Sequence, residues 1–219
     1  MDREYCIGRL PEDQGRVALS GVFSPEGLNE HWLALEEAHL DQFPWGGEYR
    51  PDCRARVGWN AKGIHVLLYA HEAVIKAEEK RIGGLVCLDS CLEFFLTPNP
   101  EGCPAYINCE SNPQAVLHIG IGEQRKGREV IYDRLPEGVC PCHSEHAGGW
   151  WAVSFTLPAG FLREKTGCEL KPGAAMRGNF YSCGGVEGNQ HYCMFHPYDD
   201  LPKPDYHRPE RFAAMYLGK

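Results

Sequence analysis

The stretch at residues 88–112 constrains the fold more than any other part of the chain. Two runs rich in apolar and aromatic residues flank a short segment, residues 98–102, that contains two prolines, an asparagine and a glycine. Turn-forming residues between such runs are typical of two neighbouring antiparallel strands. We therefore expect the rest of the chain to be built around this pair of strands.

One face of this strand pair is unusually polar. Because side chains alternate along a strand, one face carries the apolar set Leu92, Phe94, Leu96, Ile107 and Cys109, and the other carries Cys91, Glu93, Phe95, Tyr106, Asn108, Glu110 and Asn112. A carboxylate on an apolar strand costs free energy unless it is paired or solvated. The polar face therefore indicates either a wet surface that recognises a polar partner or the ordinary solvent side of a sheet.

Composition places the chain in one class of domain. With 219 residues, 43% of them hydrophobic and 24% charged, it can bury a sizeable core, and we predict a single all-β domain over residues 1–219. The formal net charge of −8 argues against a nucleic-acid partner, because such binding depends largely on cationic side chains that neutralise phosphates. A neutral or cationic partner, such as a sugar, is compatible with this charge.

The start of the chain predicts a cytoplasmic location. No basic segment followed by an apolar core stands at residues 1–30, and no later run is long enough to cross a bilayer. We therefore expect neither a signal peptide nor a membrane partner. The sequence makes no prediction about oligomeric state.

The eleven cysteines are odd in number, and without a leader we predict reduced thiols rather than a disulfide framework. The tightest group is Cys140-Pro-Cys142-His143, which resembles half of a zinc site. No second pair follows at ligand spacing, which argues against a structural zinc there.

The remaining pattern is mostly β. We expect a hairpin at residues 54–70, a charged loop or helical turn at 71–81, a long loop at 135–149, and a Pro-rich tail that leads into a closing strand. Further strands are predicted at residues 17–23, 115–121, 150–157 and 175–183, short helical turns at 28–40 and 161–165, and a turn at 43–47. Within the hairpin, we expect His65 to be a hydrogen-bonded structural residue.

The strand predicted at residues 175–183 repeats the polar alternation. Arg177, Asn179 and Tyr181 share one of its faces. Two distant parts of the chain thus place amide, charged and aromatic groups on one face of apolar strands. A single polar concave face on a β-sandwich would explain both.

Several motifs, taken in their order along the chain, resemble the family 9 carbohydrate-binding modules and their DOMON-like relatives. The most specific are Asp-Ser-x-x-Glu-Phe-Phe at residues 89–95 and Tyr-His-Arg-Pro-Glu-Arg-Phe at residues 206–212. Others lie at residues 58–60, 106–112, 150–158 and 177–180. The resemblance extends from about residue 54 to residue 217.

This resemblance implies a jelly-roll-like sandwich of two antiparallel sheets. It also implies that the concave face binds a mono- or oligosaccharide and that the protein is associated with carbohydrate catabolism. In secreted members two tryptophans clamp the sugar, and Tyr206 and Val86 fall at those positions here. Loss of one ring predicts weaker binding or an altered ligand. Glu93, Asn108 and Asn179 match positions that reach into the groove.

Other positions bear on the resemblance less directly. Tyr181 is placed to help the matching groove residues. His207 belongs to the closing motif, and its role is left open. The family often binds calcium elsewhere, but its entry motif is reduced here to residues 24–32, Ser-Pro-Glu-Gly-Leu-Asn-Glu-His-Trp. This places the calcium in question.

Sugar chemistry leads to the same residues without the family. Sugars present hydroxyls and apolar ring faces, so a receptor needs carboxylates, amides and an aromatic plane. The predicted site is Glu93, Asn108, Arg177, Asn179, Tyr181, Tyr206 and His207. The alternative for Arg177 and Glu93 is a simple ion pair across the sheet.

Two other functions remain open at this point. A glycoside hydrolase needs two carboxylates that face each other, and Glu93 and Glu110 lie on adjacent predicted strands. A haem domain would use Met194 with His191 or His196, although no Cys-x-x-Cys-His attachment motif is present. The sequence does not predict which sugar is bound.

Overall fold

The computed structural model describes residues 3–146, 148–185 and 188–219. The strands within them are β1 (Glu4–Arg9), β2 (Glu37–His39), β3 (Gln42–Gly46), β4 (Asp52–Asn60), β5 (Gly63–His71), β6 (Cys91–Thr97), β7 (Tyr106–Ser111), β8 (Leu117–Gly122), β9 (Glu129–Ile131), β10 (Cys142–His143), β11 (Trp150–Pro158), β12 (Ala175–Gly184), β13 (His191–Met194) and β14 (Ala213–Leu217). Two short α-helices, α1 (Glu30–Leu33) and α2 (Ala159–Thr166), and 3₁₀ turns at Pro25–Gly27, Val86–Leu88 and Pro209–Arg211 complete the description.

The strands form the β-sandwich that the sequence predicts. Their order is β10-β11-β5-β4-β1-β14-β12-β6-β7-β8-β9, and β1 connects the two layers. Its first four residues pair in parallel with β14, and its last two residues pair in parallel with β4. Except for these two parallel contacts of β1, the pairings between strands are antiparallel.

The core lies between the two layers. The apolar alternation of β6 supplies Leu92, Phe94 and Leu96, all fully buried, and they join Val66 and Phe155 of the facing layer in one cluster. Burial of a large apolar side chain contributes on the order of 1.5–3 kcal/mol. These contacts fix which face of β6 points inward and therefore where Glu93 points.

The opposite face of β6, β7 and β12 is covered rather than wet. The segment at residues 195–212 folds over it, and Tyr198, Tyr206 and Phe212 pack there with Phe95 and Tyr181. The expectation of a wet, solvent-facing surface is therefore wrong over most of this face. The physical reason is that the tail carries enough aromatic area to bury the sheet on that side as well.

Local differences from the predicted pattern occur mainly at the N-terminal end. The predicted strand at residues 17–23 is absent, and only Val22 forms a bridge, with Glu145. The strand β1 was not predicted, because its partners β4 and β14 are remote in sequence. The turn expected at residues 43–47 is instead the strand β3, which pairs with β13.

Both predicted helical turns are present, although the first is short. Asn29 caps α1 by accepting a hydrogen bond from the backbone N–H of Trp32 at 3.1 Å. The rest of that segment is the strand β2. Helix α2 ends at Gly167, whose φ of 67° is the left-handed cap conformation.

His65 is the structural residue that the sequence predicts. Its Nδ1 lies 2.9 Å from the Thr156 hydroxyl and its Nε2 lies 3.0 Å from Asn60 Oδ1. Burial lowers the pKa of His65 to about 4. In the described part of the chain, no helix has both the length and the apolar character that crossing a membrane requires.

Candidate functional site

Strand register brings the polar residues of β6, β7 and β12 together. Glu93 lies opposite Glu110 of β7 on one side and opposite Tyr181 of β12 on the other. Directly opposite residues point to the same face of a sheet, with Cβ atoms about 4.5–5.5 Å apart. Two carboxylates therefore face the same space.

That space is a pocket of about 220 Å³ between the sheet and the covering tail. It is lined by Cys87, Glu93, Glu110, Arg125, Cys183, Tyr192, Pro204, Asp205, Tyr206 and His207. Three of these were predicted as site residues, namely Glu93, Tyr206 and His207. The lining is rich in acids and aromatic rings, which are the groups that sugar recognition needs.

Glu93 is a buried carboxyl group with few hydrogen-bond donors around it. Its side chain belongs to a residue that is only 3% exposed, and the Cys183 thiol lies 3.5 Å from its Oε1. Burial first, and then the charge of Glu110, raise the pKa of Glu93 well above its usual value. A carboxylate held in this way has free acceptor positions for a ligand.

Glu110 is held in place by a hydrogen bond from a neighbouring amide. Asn108 donates a hydrogen bond to its Oε1 at 3.0 Å, and burial raises its pKa while the charges of His118 and Arg128 oppose the shift. Asn108 in turn accepts a hydrogen bond from Arg128 at 2.9 Å and has no exposed surface. Asn108 therefore positions Glu110 and does not itself reach the pocket.

His207 forms one wall of the pocket as a neutral ring. Its Nδ1 lies 2.9 Å from the Tyr106 hydroxyl and 2.5 Å from Arg128 Nη1. Because a guanidinium only donates, Nδ1 must be the acceptor. Burial, together with the charge of Arg128, lowers the pKa of His207 to about 3.

Tyr206 and Tyr181 form a stacked pair, with ring centroids 4.2 Å apart and planes 15° apart. The Tyr206 hydroxyl donates to the backbone carbonyl of Ser182 at 2.8 Å, which fixes the ring at the pocket wall. Tyr181 lies fully buried behind it. Val86 is also fully buried, and its neighbour Cys87 lines the pocket instead.

Asn179 and Arg177 lie outside the pocket lining. The Asn179 amide donates to the carbonyl of His196 at 3.0 Å and accepts from the N–H of His196 at 2.9 Å, so it fastens the tail to the sheet. Arg177 lies opposite Thr97 and donates to the carbonyl of Phe212 at 2.8 Å. The ion pair weighed between Arg177 and Glu93 is therefore not formed.

Sequence reasoning missed several lining residues. Arg125 and Asp205 form an ion pair of 2.7 Å at the rim, and Tyr192 and Cys87 complete the wall. Only Asp205, which directly precedes the closing motif, could have been suspected from sequence. The others come from loops or from a strand whose pairing is not encoded locally.

The segment at residues 24–32, where the sequence put the family's calcium in question, does not fit calcium. The Ser24 hydroxyl donates to the Glu26 carboxylate, and Asn29 uses its side-chain oxygen to cap α1. These residues serve local structure and do not gather the six or more oxygen ligands that calcium prefers.

The zinc hypothesis at residues 140–143 finds no support either. The Cys142 thiol donates to the carbonyl of Val17 at 3.1 Å. All eleven cysteines are free. In the ranges that the structure describes, the group of three potential metal ligands that come together is Cys91, Glu93 and Cys183.

The residues considered for haem are packed into the protein. Met194 has no exposed surface, and the ring nitrogens of His191 lie 3.3 Å from the Ser182 hydroxyl and 3.1 Å from the Asn189 carbonyl. His196 accepts a hydrogen bond from the N–H of Arg3 at 3.2 Å. These interactions account for the three side chains without a cofactor.

Comparison with known proteins adds independent findings. Residues 24–217 match the family model described as carbohydrate-binding family 9. A candidate carbohydrate-binding protein from Bacteroides uniformis ATCC 8492 has a similar fold, with a TM-score of 0.76, 21% identity, and coverage of 99% of this chain and 100% of that one. No curated protein matches the chain.

Two further similar structures are of one family 9 module from Caldicellulosiruptor kristjanssonii. Its complex with glucose has a TM-score of 0.66, 10% identity, and coverage of 99% of this chain and 97% of that one. Its complex with cellotriose has a TM-score of 0.63, 10% identity, and coverage of 99% and 94%. At these identities the likeness concerns the fold.

Proposed function

Because the chain belongs to carbohydrate-binding family 9, we propose that it binds one sugar ring, free or at the end of a short chain, in the pocket beside Glu93 and Glu110. The observation that carries this proposal is the pair of buried carboxylates, opposite each other on adjacent strands and both lining one pocket. The site residues follow from that geometry.

The carboxylates suit the hydroxyl groups of a sugar. A carboxyl group offers acceptor oxygens to sugar hydroxyls in either protonation state, and in its neutral form it also donates one O–H. Glu93 has free acceptor positions, and Glu110 is held in place by Asn108. Adjacent hydroxyls of one ring could therefore reach both acids.

The aromatic residues suit the ring of a sugar. Tyr206 is fixed by its hydroxyl and by stacking on Tyr181, so little conformational freedom is lost when a ligand lies against it. Tyr192 and Pro204 line the same pocket. The C–H face of a sugar ring is apolar enough to pack on such a wall.

The size of the pocket favours a small ligand. Ligand pockets are usually about 300–1,000 Å³, and this one is about 220 Å³. We therefore propose that one ring is enclosed and that any further rings extend into solvent. The glucose and cellotriose complexes of the Caldicellulosiruptor kristjanssonii module support small sugars as the first ligands to test.

Binding rather than hydrolysis is the function we propose. The family match is to a binding family, so catalysis by Glu93 and Glu110 is not favoured. Chromogenic glycosides provide a direct check, and we expect no release of the chromophore above the rate without protein.

Isothermal titration calorimetry against glucose, other monosaccharides and cello-oligosaccharides tests the proposal. We expect one site per chain for at least one sugar. Glu93→Gln should weaken binding by roughly 5- to 150-fold, because an amide NH₂ replaces one oxygen and leaves a sugar hydroxyl without its acceptor, at about 1–3 kcal/mol. Glu110→Gln should have a similar but smaller effect.

Glu72→Gln is the matched control, since Glu72 is equally buried but bonds Ser90 and Trp151 rather than lining the pocket. Its sugar affinity should equal that of the wild type. Absence of heat with every sugar, or unchanged affinity after Glu93→Gln, would overturn the proposal.

A further inference from the structure

A cluster of two thiols and a carboxylate lies at the floor of the pocket. Cys91 and Glu93 share one face of β6, and Cys183 of β12 lies directly opposite Cys91. One ligand atom of each residue lies within 4.8 Å of the other two. The three residues are 0%, 3% and 6% exposed.

The spacing of this cluster suits a tetrahedral metal ion. With metal–sulfur bonds of about 2.3 Å and metal–oxygen bonds of about 2.1 Å, the sulfur–oxygen distance across a tetrahedral zinc site is roughly 3.6 Å. The distance from Cys183 Sγ to Glu93 Oε1 is 3.5 Å. The other two distances between ligand atoms are at most 4.8 Å, against about 3.6–3.8 Å in such a site, so side-chain shifts of up to about 1 Å would complete the geometry.

The charge around the cluster favours a cation. Glu93 and Glu110 both point to this space, while the nearby guanidinium groups are engaged elsewhere. Arg125 pairs with Asp205, and Arg128 donates to Asn108 and His207. Buried carboxylates without a cationic partner are costly, and a divalent ion would supply the missing charge.

We propose that Cys91, Glu93 and Cys183 bind a thiophilic divalent cation of the zinc type, with the remaining coordination position open to the pocket. Two sulfur ligands select zinc over calcium or magnesium, which prefer oxygen. Glu93 and Cys183 line the pocket themselves. The open position thus faces the space where the sugar is proposed to lie, although the metal site is tested without any sugar.

Metal titration of the full chain tests this site. The protein is freed of metal with a chelator, kept reduced, and titrated with Zn²⁺ in calorimetry with a competing chelator. We expect one high-affinity Zn²⁺ per chain. Cys91→Ser and Cys183→Ser should each weaken binding by at least 100-fold, because each removes a thiolate ligand.

The control variant is Cys140→Ser, which alters the Cys-Pro-Cys-His segment and leaves the pocket intact. It should keep the wild-type affinity and stoichiometry. Loss of the site in Cys140→Ser, or its retention in both pocket variants, would overturn the proposal.

A second measurement needs no variant and so does not depend on the folding of one. Co²⁺ added to the metal-free wild type should give a tetrahedral visible spectrum and a charge-transfer band of the intensity of two thiolate bonds. A spectrum without thiolate charge transfer, or with that of four thiolates, would show that this cluster does not hold the ion.

Discussion

Two buried carboxylates in this protein have almost the same exposure and very different surroundings. Glu72 is 2% exposed and Glu93 is 3% exposed. Trp151 and Ser90 donate hydrogen bonds to the two oxygens of Glu72, at 2.9 and 2.8 Å. Glu93 has a thiol at 3.5 Å and faces the pocket.

The difference shows that burial alone does not reveal what a polar residue does. Glu72 links β11 to the segment before β6, so its acceptors are used by the fold. Glu93 keeps acceptor positions that the fold does not use, and those positions are available to a ligand. An acid whose oxygens accept hydrogen bonds from the fold has a structural role, whereas an acid with unused acceptor oxygens can bind a ligand.

The largest expected effect would come from truncating the structural acid. Glu72→Ala leaves the Trp151 N–H and the Ser90 hydroxyl buried without their acceptor, at about 1–3 kcal/mol each. We expect the free energy of unfolding to fall by about 4 kcal/mol in urea titrations near pH 6. Glu93→Ala should change the free energy of unfolding by less than about 1 kcal/mol. Equal losses in the two variants would show that the two acids do not differ in their structural roles.

The pH dependence of Glu72 should be the next largest effect. Burial raises its pKa to about 7 despite the two donors, so its folded-state pKa lies above the unfolded value of about 4.5. The protonated Glu72 therefore stabilises the folded state fully below about pH 4.5. This contribution to the free energy of unfolding, up to about 3 kcal/mol, is lost as the pH rises from there through 7. Unfolding measured from pH 4.5 to 8 should show this decline in the wild type and a flatter curve in Glu72→Gln.

His207, one residue of the pocket lining, should respond to pH in the opposite direction to Glu72. The pKa of His207 is lowered to about 3, so the folded state stays neutral while the unfolded chain gains a proton below about pH 6.5. Stability is therefore lost as the pH falls, by about 2 kcal/mol between pH 6.5 and 5. His207→Gln keeps an acceptor for Arg128 and should remove this loss. An unchanged slope in the variant would show that folding does not lower the pKa of His207.

The smallest effect is expected at the rim of the pocket. Arg125 and Asp205 form an ion pair with side-chain exposures of 58% and 26%, and exposed pairs contribute about 0.2–1 kcal/mol. Arg125→Gln should therefore lower the free energy of unfolding by less than 1 kcal/mol. A decrease in the free energy of unfolding as large as that of Glu72→Ala would show that this pair is needed for the fold in the way Glu72 is.

Local patterns predicted much of the fold. The alternation of β6 predicted that Leu92 and Phe94 face inward and Glu93 the other way, and both hold because a strand with one apolar face has one favourable orientation. The turn at residues 98–102 and the hairpin of β4 and β5 were also confirmed. Strand β1 was missed because parallel pairing at the centre of a sandwich depends on partners far along the chain.

The site was predicted only in part, for a related reason. Residue type and face identified Glu93, Tyr206 and His207, which line the pocket. The same logic gave Asn179 and Arg177 similar weight, since an amide or guanidinium on a polar face looks equally available to a ligand. In the structure both side chains bond to the backbone of the covering tail.

The sequence by itself determined the β-sandwich, the inward and outward faces of its strands, and the family to which the chain belongs. The tertiary structure alone decided which polar side chains remain available, because that depends on donors supplied by distant segments. The tail at residues 195–212 covers most of the polar face and leaves the pocket beside Glu93 and Glu110. The register of β12 against β6 then places Cys183 beside Cys91 and Glu93, which no spacing within the chain could indicate.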